Sequence, residues 1–358
     1  MLNWLLPFVP AAVALEHFTP QSHLLIFIVS GLAILPLAAW MGRATEHLAE
    51  RLGEGVGGLL NATFGNAAEL IIALAALRAG LHDVVKASIA GSIVGNILLV
   101  LGAAMLAGGL RHREQSFNAQ GARALATMLT LAAIGLILPA CYQFATGGSA
   151  ANSLVWLSVS ISIVLLAVYG LFLGFTLVTH SSLFTASHAP ETAQGHQPWP
   201  IRRAALVLGL ATVAIAWTSE ILVGSIQPAA RSLGLSSGFV GVFVVAILGN
   251  AAEHATAITV AMKNRMELAL SIAIGSSVQV ALFVAPVLVL ASLVLGPAPM
   301  NLVFPAGLVL TVLLAVLITG QVAGDGRSDW LRGVQLLAVY VVLALTYFFM
   351  PDVSAPAR

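Results

Sequence analysis

Two identical pentapeptides, Gly-Asn-Ala-Ala-Glu at Gly65–Glu69 and again at Gly249–Glu253, each set a glutamate in the middle of a long apolar run. A carboxylate at the centre of a membrane-length helix costs roughly 3 kcal/mol on insertion scales, so two of them in one local context require a reason. A second pair keeps the register: Gly91-Ser92 follows the first pentapeptide and Gly275-Ser276 the second, again 184 residues apart. An unchanged offset across both pairs means an internal duplication with no insertion between paired elements. Duplicated polar groups at membrane depth read as an ion-transport site.

The remaining composition agrees. Of 358 residues, 59% are apolar and 8% charged, with a mean hydropathy of +0.99, whereas soluble domains carry about 25% charged residues. The chain is therefore read as an integral membrane protein whose partner is the lipid bilayer. A net charge of +1 with no basic run argues against nucleic acid. Cys141 stands alone, so no internal disulfide is available, and its apolar neighbours suggest a buried, inert thiol. The N-terminal stretch has neither a Lys/Arg cluster nor a small-residue cleavage site, so no removable signal peptide is expected. Only Lys86 and Lys263 are lysines among 15 basic residues, in keeping with a GC-rich bacterial source and a cytoplasmic (inner) membrane.

Apolar runs of about 18 residues or more mark spans. Eleven are expected, at 2–18, 21–42, 57–80, 83–109, 119–145, 151–178, 202–225, 237–262, 266–296, 301–320 and 330–349, and the first is interrupted by Pro7 and Pro10. Residues 43–55 form a charged extension at the interface, and Pro36, Pro139 and Pro286 mark kinks. The segment 181–200, rich in Ser, Thr, His, Pro and Gln, is a linker between two sets of five spans. Five is odd, so the second set enters the membrane the other way round. The expected fold is an all-α membrane protein: an extra N-terminal helix at 1–20, a first repeat at 21–180, a cytoplasmic linker at 181–200 and an inverted second repeat at 201–350. With the N-terminus in the cytoplasm, eleven of the 15 basic residues fall in cytoplasmic connections, and only Arg78, Lys86, Arg231 and Arg358 lie opposite. This obeys the positive-inside rule and puts the C-terminus on the far side.

Among 14 acidic residues only Glu69, Glu220 and Glu253 lie inside spans. Small residues around the repeat glutamates (Gly65, Ala67 and Ala68; Gly249, Ala251 and Ala252) allow two helices to approach closely. Asn66 and Asn250 sit three residues before their glutamates, on the same helical face. Glycine beside asparagine weakens the helix, and a break there would free carbonyls that are tolerated only around a cavity or an ion. Ser92 and Asn96 share one face of the following span, and Ser276 and Gln279 share one face of its repeat mate. Two carboxylates with hydroxyls, amides and carbonyls make a site for a hard cation; calcium takes about six to eight oxygens. When empty, such carboxylates repel each other and take up protons, so cation and proton compete for the same groups. Glu220, in Trp217-Thr-Ser-Glu, serves either a hydrogen bond across helices or the proton route. His254 beside Glu253 is not a His-Glu-x-x-His motif and reads as a packing or hydrogen-bonding side chain. His180, His188 and His196 read as solvated linker residues.

These motifs resemble the calcium/proton exchanger branch of the calcium/cation antiporter superfamily. The similar stretches are LLNATFGNAAELII at Leu59–Ile72, KASIAGSIVGNILLVLG at Lys86–Gly102, GNAAEHATAI at Gly249–Ile258, GSSVQVALFVAPVLV at Gly275–Val289 and TLVTHSSLF at Thr176–Phe184. The resemblance implies that Glu69 and Glu253 are ligands shared by calcium and protons, with Gly65, Asn66, Ser92, Gly249, Asn250, Ser276 and Gln279 as their polar or close-packed partners. Asn96 joins them although its repeat equivalent is Val280. It further implies an antiporter, not an enzyme, with Ca2+ and H+ as transported ions and no cofactor. Homo-oligomers are compatible with such a chain. The linker holds Glu191 as its single acid, so an acidic calcium-sensing helix is not expected. Sodium-coupled relatives carry Gly-Thr-Ser-x-Pro-Glu where this chain repeats Gly-Asn-Ala-Ala-Glu, which favours protons as counter-ion. A cation channel could use the same carboxylates, but the inverted repeat argues against it; an intramembrane enzyme would need a Ser/Lys, paired-Asp or zinc constellation that is not seen.

Overall fold

A computed structural model of the chain describes residues 2–147, 151–181 and 199–349. The helices are α1 (Phe8–Phe18), α2 (His23–Leu52), α3 (Glu54–Phe64) and α4 (Ala67–Arg78). They continue as α5 (His82–His112), α6 (Ala119–Ala145), α7 (Asn152–Thr179), α8 (Ile201–Ser232), α9 (Val240–Met262), α10 (Met266–Ala291), α11 (Ala306–Ala323) and α12 (Trp330–Phe348). Among the described residues, nine of these are long and apolar enough to cross a membrane.

Two of the expected spans differ. The stretch 2–18 is a short turn of 3-10 helix, Leu2–Leu5, followed after Pro7 by the 11-residue α1. At 1.5 Å per residue α1 is about 16 Å long, half the hydrocarbon core. The stretch 57–80 is two helices, because the first Gly-Asn pair interrupts it. Gly65 ends α3, and Asn66 precedes α4 with a non-helical backbone (φ −102°, ψ 23°). The identical second pair does not break its helix, since Ala246–Met262 runs unbroken through Gly249 and Asn250. The charged extension at 43–55 continues α2 as far as Leu52.

The chain forms two compact units, each drawing on both halves of the sequence. Unit 1 is Met1–Ser88, Thr192–Ala252 and Ala344–Arg358; unit 2 is Ile89–Glu191 and Glu253–Leu343. In unit 1, α2 and α8 pack along each other through Leu37, Met41 and Ala44 against Leu208, Ala211 and Ile215. Ala67 and Ala68, the small residues of the first pentapeptide, are buried in that same cluster. The short α1 docks Ala12 on Ile26, Val29 and Ile221.

Unit 2 is held by very close helix contacts. A Cβ at Gly333 of α12 would lie 2.4 Å from Leu106 N and 2.6 Å from Gly102 O of α5, so only glycine permits this crossing. Buried Ser158 of α7 accepts from Leu302 N at 2.9 Å and pins the loop before α11. One departure from an all-helical chain is a ribbon of β1 (Glu114–Ser116) and β2 (Arg327–Asp329), antiparallel with Gln115 opposite Ser328. Around it, Gln115 donates to Ala261 O, His112 meets Met262 O and Arg123 donates to Gly324 O. Three connections between helices, at 112–118, 261–264 and 324–329, thus gather at one end of unit 2.

Among the described residues, four stretches have π-helical i→i+5 bonding: Gly95–Val100, Phe175–Thr179, Val240–Val245 and Val280–Val284. The first and last overlap under the 184-residue offset. In the last, Ala285 N donates to Val280 O and the next residue, Pro286, has no N–H to give. Pro36 and Pro139 lie inside α2 and α6. Cys141, expected to be buried, is exposed on α6. The lipid-facing side of a membrane helix is as apolar as its packed side, so apolar neighbours in sequence do not report burial. His188, His196, Glu191, Arg358 and nearly all of the 181–200 linker lie outside the described residues.

Candidate functional site

Within unit 1 the break at Gly65-Asn66 makes Glu69 a first-turn residue of α4. The positive end of the helix peptide dipoles therefore lies beside its carboxylate. Glu69 is half-buried, and Asn66 is fully buried. The side chain of Glu69 rests against the second pentapeptide: a Cβ built on Gly249 of α9 would stand 3.2 Å from Glu69 Cγ and 3.3 Å from Oε1. The glycine of one motif is thus the seat for the glutamate of the other. Asn250, next along α9 and also buried, donates Nδ2 to Ala246 O at 2.9 Å, which leaves its carbonyl as the acceptor end.

Within unit 2, Glu253 stands mid-helix on α9, so the two glutamates share a motif but not a backbone setting. Around Glu253 runs a chain of side-chain hydrogen bonds. His254 Nε2 is 3.0 Å from Asn96 Oδ1, Asn96 Nδ2 donates to Ser276 Oγ at 3.1 Å, and Ser276 hydrogen-bonds the Glu253 side chain. The donors order themselves. Asn96 gives its amide proton to Ser276, so its Oδ1 accepts, and His254 carries its proton on Nε2. Ser276, having accepted, directs its own hydroxyl proton at the carboxylate. Glu253 Oε2 is buried and has no hydrogen-bond partner among the described residues.

Asn96 is buried in the π-helical stretch Gly95–Val100, and Ser92 is buried one turn earlier on α5. Gln279 is half-buried at the last α-helical position before Val280–Val284. Next to Ser276, Ser277 Oγ approaches Ile93 O at 3.3 Å. Ile93 is the repeat mate of Ser277 under the 184-residue offset.

Unit 1 therefore collects Gly65, Asn66, Glu69, Gly249 and Asn250, and unit 2 collects Ser92, Asn96, Glu253, Ser276 and Gln279. Glu220 stands apart from both groups: it pairs with Arg78 Nη1 at 3.0 Å, with both side chains more than half exposed. His254 has the hydrogen-bonding role expected of it, with Asn96 as its partner. Successive residues of a helix point about 100° apart, so it is Asn96 that links His254 to the Glu253 side of the helix. The described residues hold no cluster of three or more His, Cys, Asp or Glu that would make a resident metal centre.

The sodium/calcium exchanger protein family matches this chain over residues 22–178 and 203–349. The Ca(2+)/H(+) antiporter of Aphanothece halophytica is 46% identical over 361 residues, covering 98% of this chain and 96% of that protein. The Ca(2+)/H(+) antiporter ChaA of Bacillus subtilis (strain 168) is 43% identical over 327 residues, covering 91% and 92%. Among solved structures, native YfkE superposes with a TM-score of 0.82 at 39% identity, covering 97% of this chain and 98% of its own. On these matches, which take in both pentapeptides and the helices that follow them, the chain belongs to the sodium/calcium exchanger protein family.

Proposed function

We propose that this protein is a secondary active antiporter, not an enzyme, that moves Ca2+ out of the cytosol in exchange for H+. One site is exposed alternately to the two sides, and Glu69 and Glu253 serve both ions. Relatives at 43% and 46% identity bear the name Ca(2+)/H(+) antiporter, which supports the pair of ions. The observation that carries the reading is Glu253: a carboxylate in an apolar helix, one end held by Ser276, with buried Oε2 lacking any donor. Such an oxygen takes either a proton or a cation, so the two compete for it. In unit 1 the amides of Asn66 and Asn250, and in unit 2 the hydroxyl of Ser276 and the amides of Asn96 and Gln279, are oxygen donors of the kind a hard cation takes.

The contact of Ser277 with its repeat mate Ile93 supports two inverted repeats. The basic residues of the connections gathered at one end of unit 2 support a cytoplasmic location for that end and a cytoplasmic membrane. The proton route includes Glu220, whose partner Arg78 lies nine residues beyond Glu69 on α4.

The test uses purified protein in liposomes with an imposed pH gradient. Glu69→Gln and Glu253→Gln should each abolish Ca2+ uptake while leaving the thermal melt intact, because an amide supplies neither charge nor an exchangeable proton. Glu220→Gln should slow exchange without abolishing it. Near-normal uptake by either repeat variant, or Ca2+ flux driven by sodium with ΔpH collapsed, would overturn the proposal.

A further inference from the structure

In the C-terminal half of α2 and at the start of α8, within unit 1, aromatic rings and guanidiniums form one stack. Trp40 of α2 and Trp199, just before α8, have ring centroids 5.9 Å apart, tilted by 34°. Arg43 lies over Trp40 with Cζ 5.7 Å from the ring centroid, and Arg203 lies over Trp199 at 4.6 Å. His47 also meets Trp199, at 4.4 Å between centroids, and its neighbouring acid is Glu50 at 3.8 Å. Arg202 is exposed beside them.

Three other described arginines hold carboxylates. Arg78 holds Glu220, Arg327 holds Glu114 and Arg332 holds Asp325. No described carboxylate pairs with Arg43, Arg202 or Arg203. Stacking occupies only the flat face of a guanidinium and leaves the N–H edge free. It also fixes the side chain in advance, so less rotamer freedom is lost when that edge binds something. The matching acceptor is a tetrahedral oxyanion with two free oxygens, which takes paired N–H bonds. The two tryptophans mark the level of the membrane–water interface, and at that level such oxyanions are lipid phosphates.

We propose that this stack is a binding site for the phosphate of an anionic phospholipid. A choline headgroup carries the same phosphate, but its quaternary ammonium would sit beside the guanidiniums of Arg43 and Arg203 and be repelled. The site lies on the two helices whose packing dominates unit 1, and Trp199 rests on the same apolar cluster as Ala67 and Ala68. Bound lipid is read directly, without reference to transport.

Phosphatidylglycerol, phosphatidylcholine and inorganic phosphate would each be titrated onto the full-length protein in neutral detergent, with bound lipid read by native mass spectrometry and stability by thermal melting. Phosphatidylglycerol should bind and raise the melting temperature. The Arg43→Gln/Arg203→Gln double variant should bind it at least tenfold more weakly. Arg203→Lys, which keeps the charge but loses the planar fork, should fall between the two, and Arg231→Gln, an exposed arginine outside the stack, should match wild type. Equal binding of both lipids, undiminished phosphatidylglycerol binding by the double variant, or full displacement by millimolar inorganic phosphate would overturn the proposal.

Discussion

Gly249→Ala tests the seat of Glu69 without touching a charge. The new methyl would stand 3.2 Å from Glu69 Cγ, 3.3 Å from Oε1 and 3.5 Å from Cδ. Carbon contacts relax at about 3.5–4.0 Å, so the carboxyl group must retreat by several tenths of an ångström. It is the end of a flexible side chain, so the fold can absorb the change and the strain falls on the ligand geometry. Calcium–oxygen distances of about 2.3–2.6 Å leave little slack for that movement. Placed on the Ca2+-bound state alone, a misfit of about 1–3 kcal/mol lowers apparent Ca2+ affinity about 5- to 150-fold. The assay is Ca2+ uptake into liposomes at fixed ΔpH over a range of Ca2+ concentrations, with thermal melting in parallel. Gly224→Ala on α8 is the control, because a Cβ there meets nothing within 4 Å. The expected result is a raised KM for Gly249→Ala alone, at an unchanged melting temperature. Wild-type affinity in Gly249→Ala would refute either the contact between Glu69 and α9 or the role of Glu69 as a calcium ligand.

Gly333→Ala meets backbone atoms of α5 at 2.4 Å and 2.6 Å, which cannot swing away. It should destabilise the protein by about 3 kcal/mol, seen as a lowered melting temperature or loss of the folded peak in size-exclusion chromatography. Ser158→Ala removes the acceptor for buried Leu302 N. Leaving that amide unsatisfied costs about 1–3 kcal/mol, and the melting temperature should fall while the KM for Ca2+ stays unchanged. On the proposed sharing of both ions, each repeat glutamate releases its proton to take Ca2+, so apparent Ca2+ affinity should weaken as pH falls. With pH equal on both sides and the membrane potential clamped, a KM constant from about pH 6 to 8.5 would contradict proton competition. A single cysteine placed in the 181–200 linker should be labelled only from the cytoplasmic side, and labelling from the opposite side would mean a miscounted span.

The duplication, the apolar runs and the residue types of the site were legible from the chain alone. Partition into a membrane depends on the summed hydropathy of consecutive residues, and a repeat offset depends only on order. Glu69 and Glu253 stood out because a carboxylate in such a run is costly wherever the helix ends up.

What the tertiary structure decided is everything that depends on which helices meet. Two identical Gly-Asn pairs break one helix and leave the other continuous, so local propensity was only a weak bias on both. Asn96, whose repeat mate is Val280, nonetheless joins His254 to Ser276, because α5 and α10 cross beside α9. Gly249 looked like a small residue for helix packing, yet it makes room for a carboxylate from the other repeat. Cys141 looked buried and is exposed. Hydropathy adds up along a chain and can be read from sequence, whereas hydrogen bonds and close approaches are satisfied between particular neighbours, and only the packed structure chooses them.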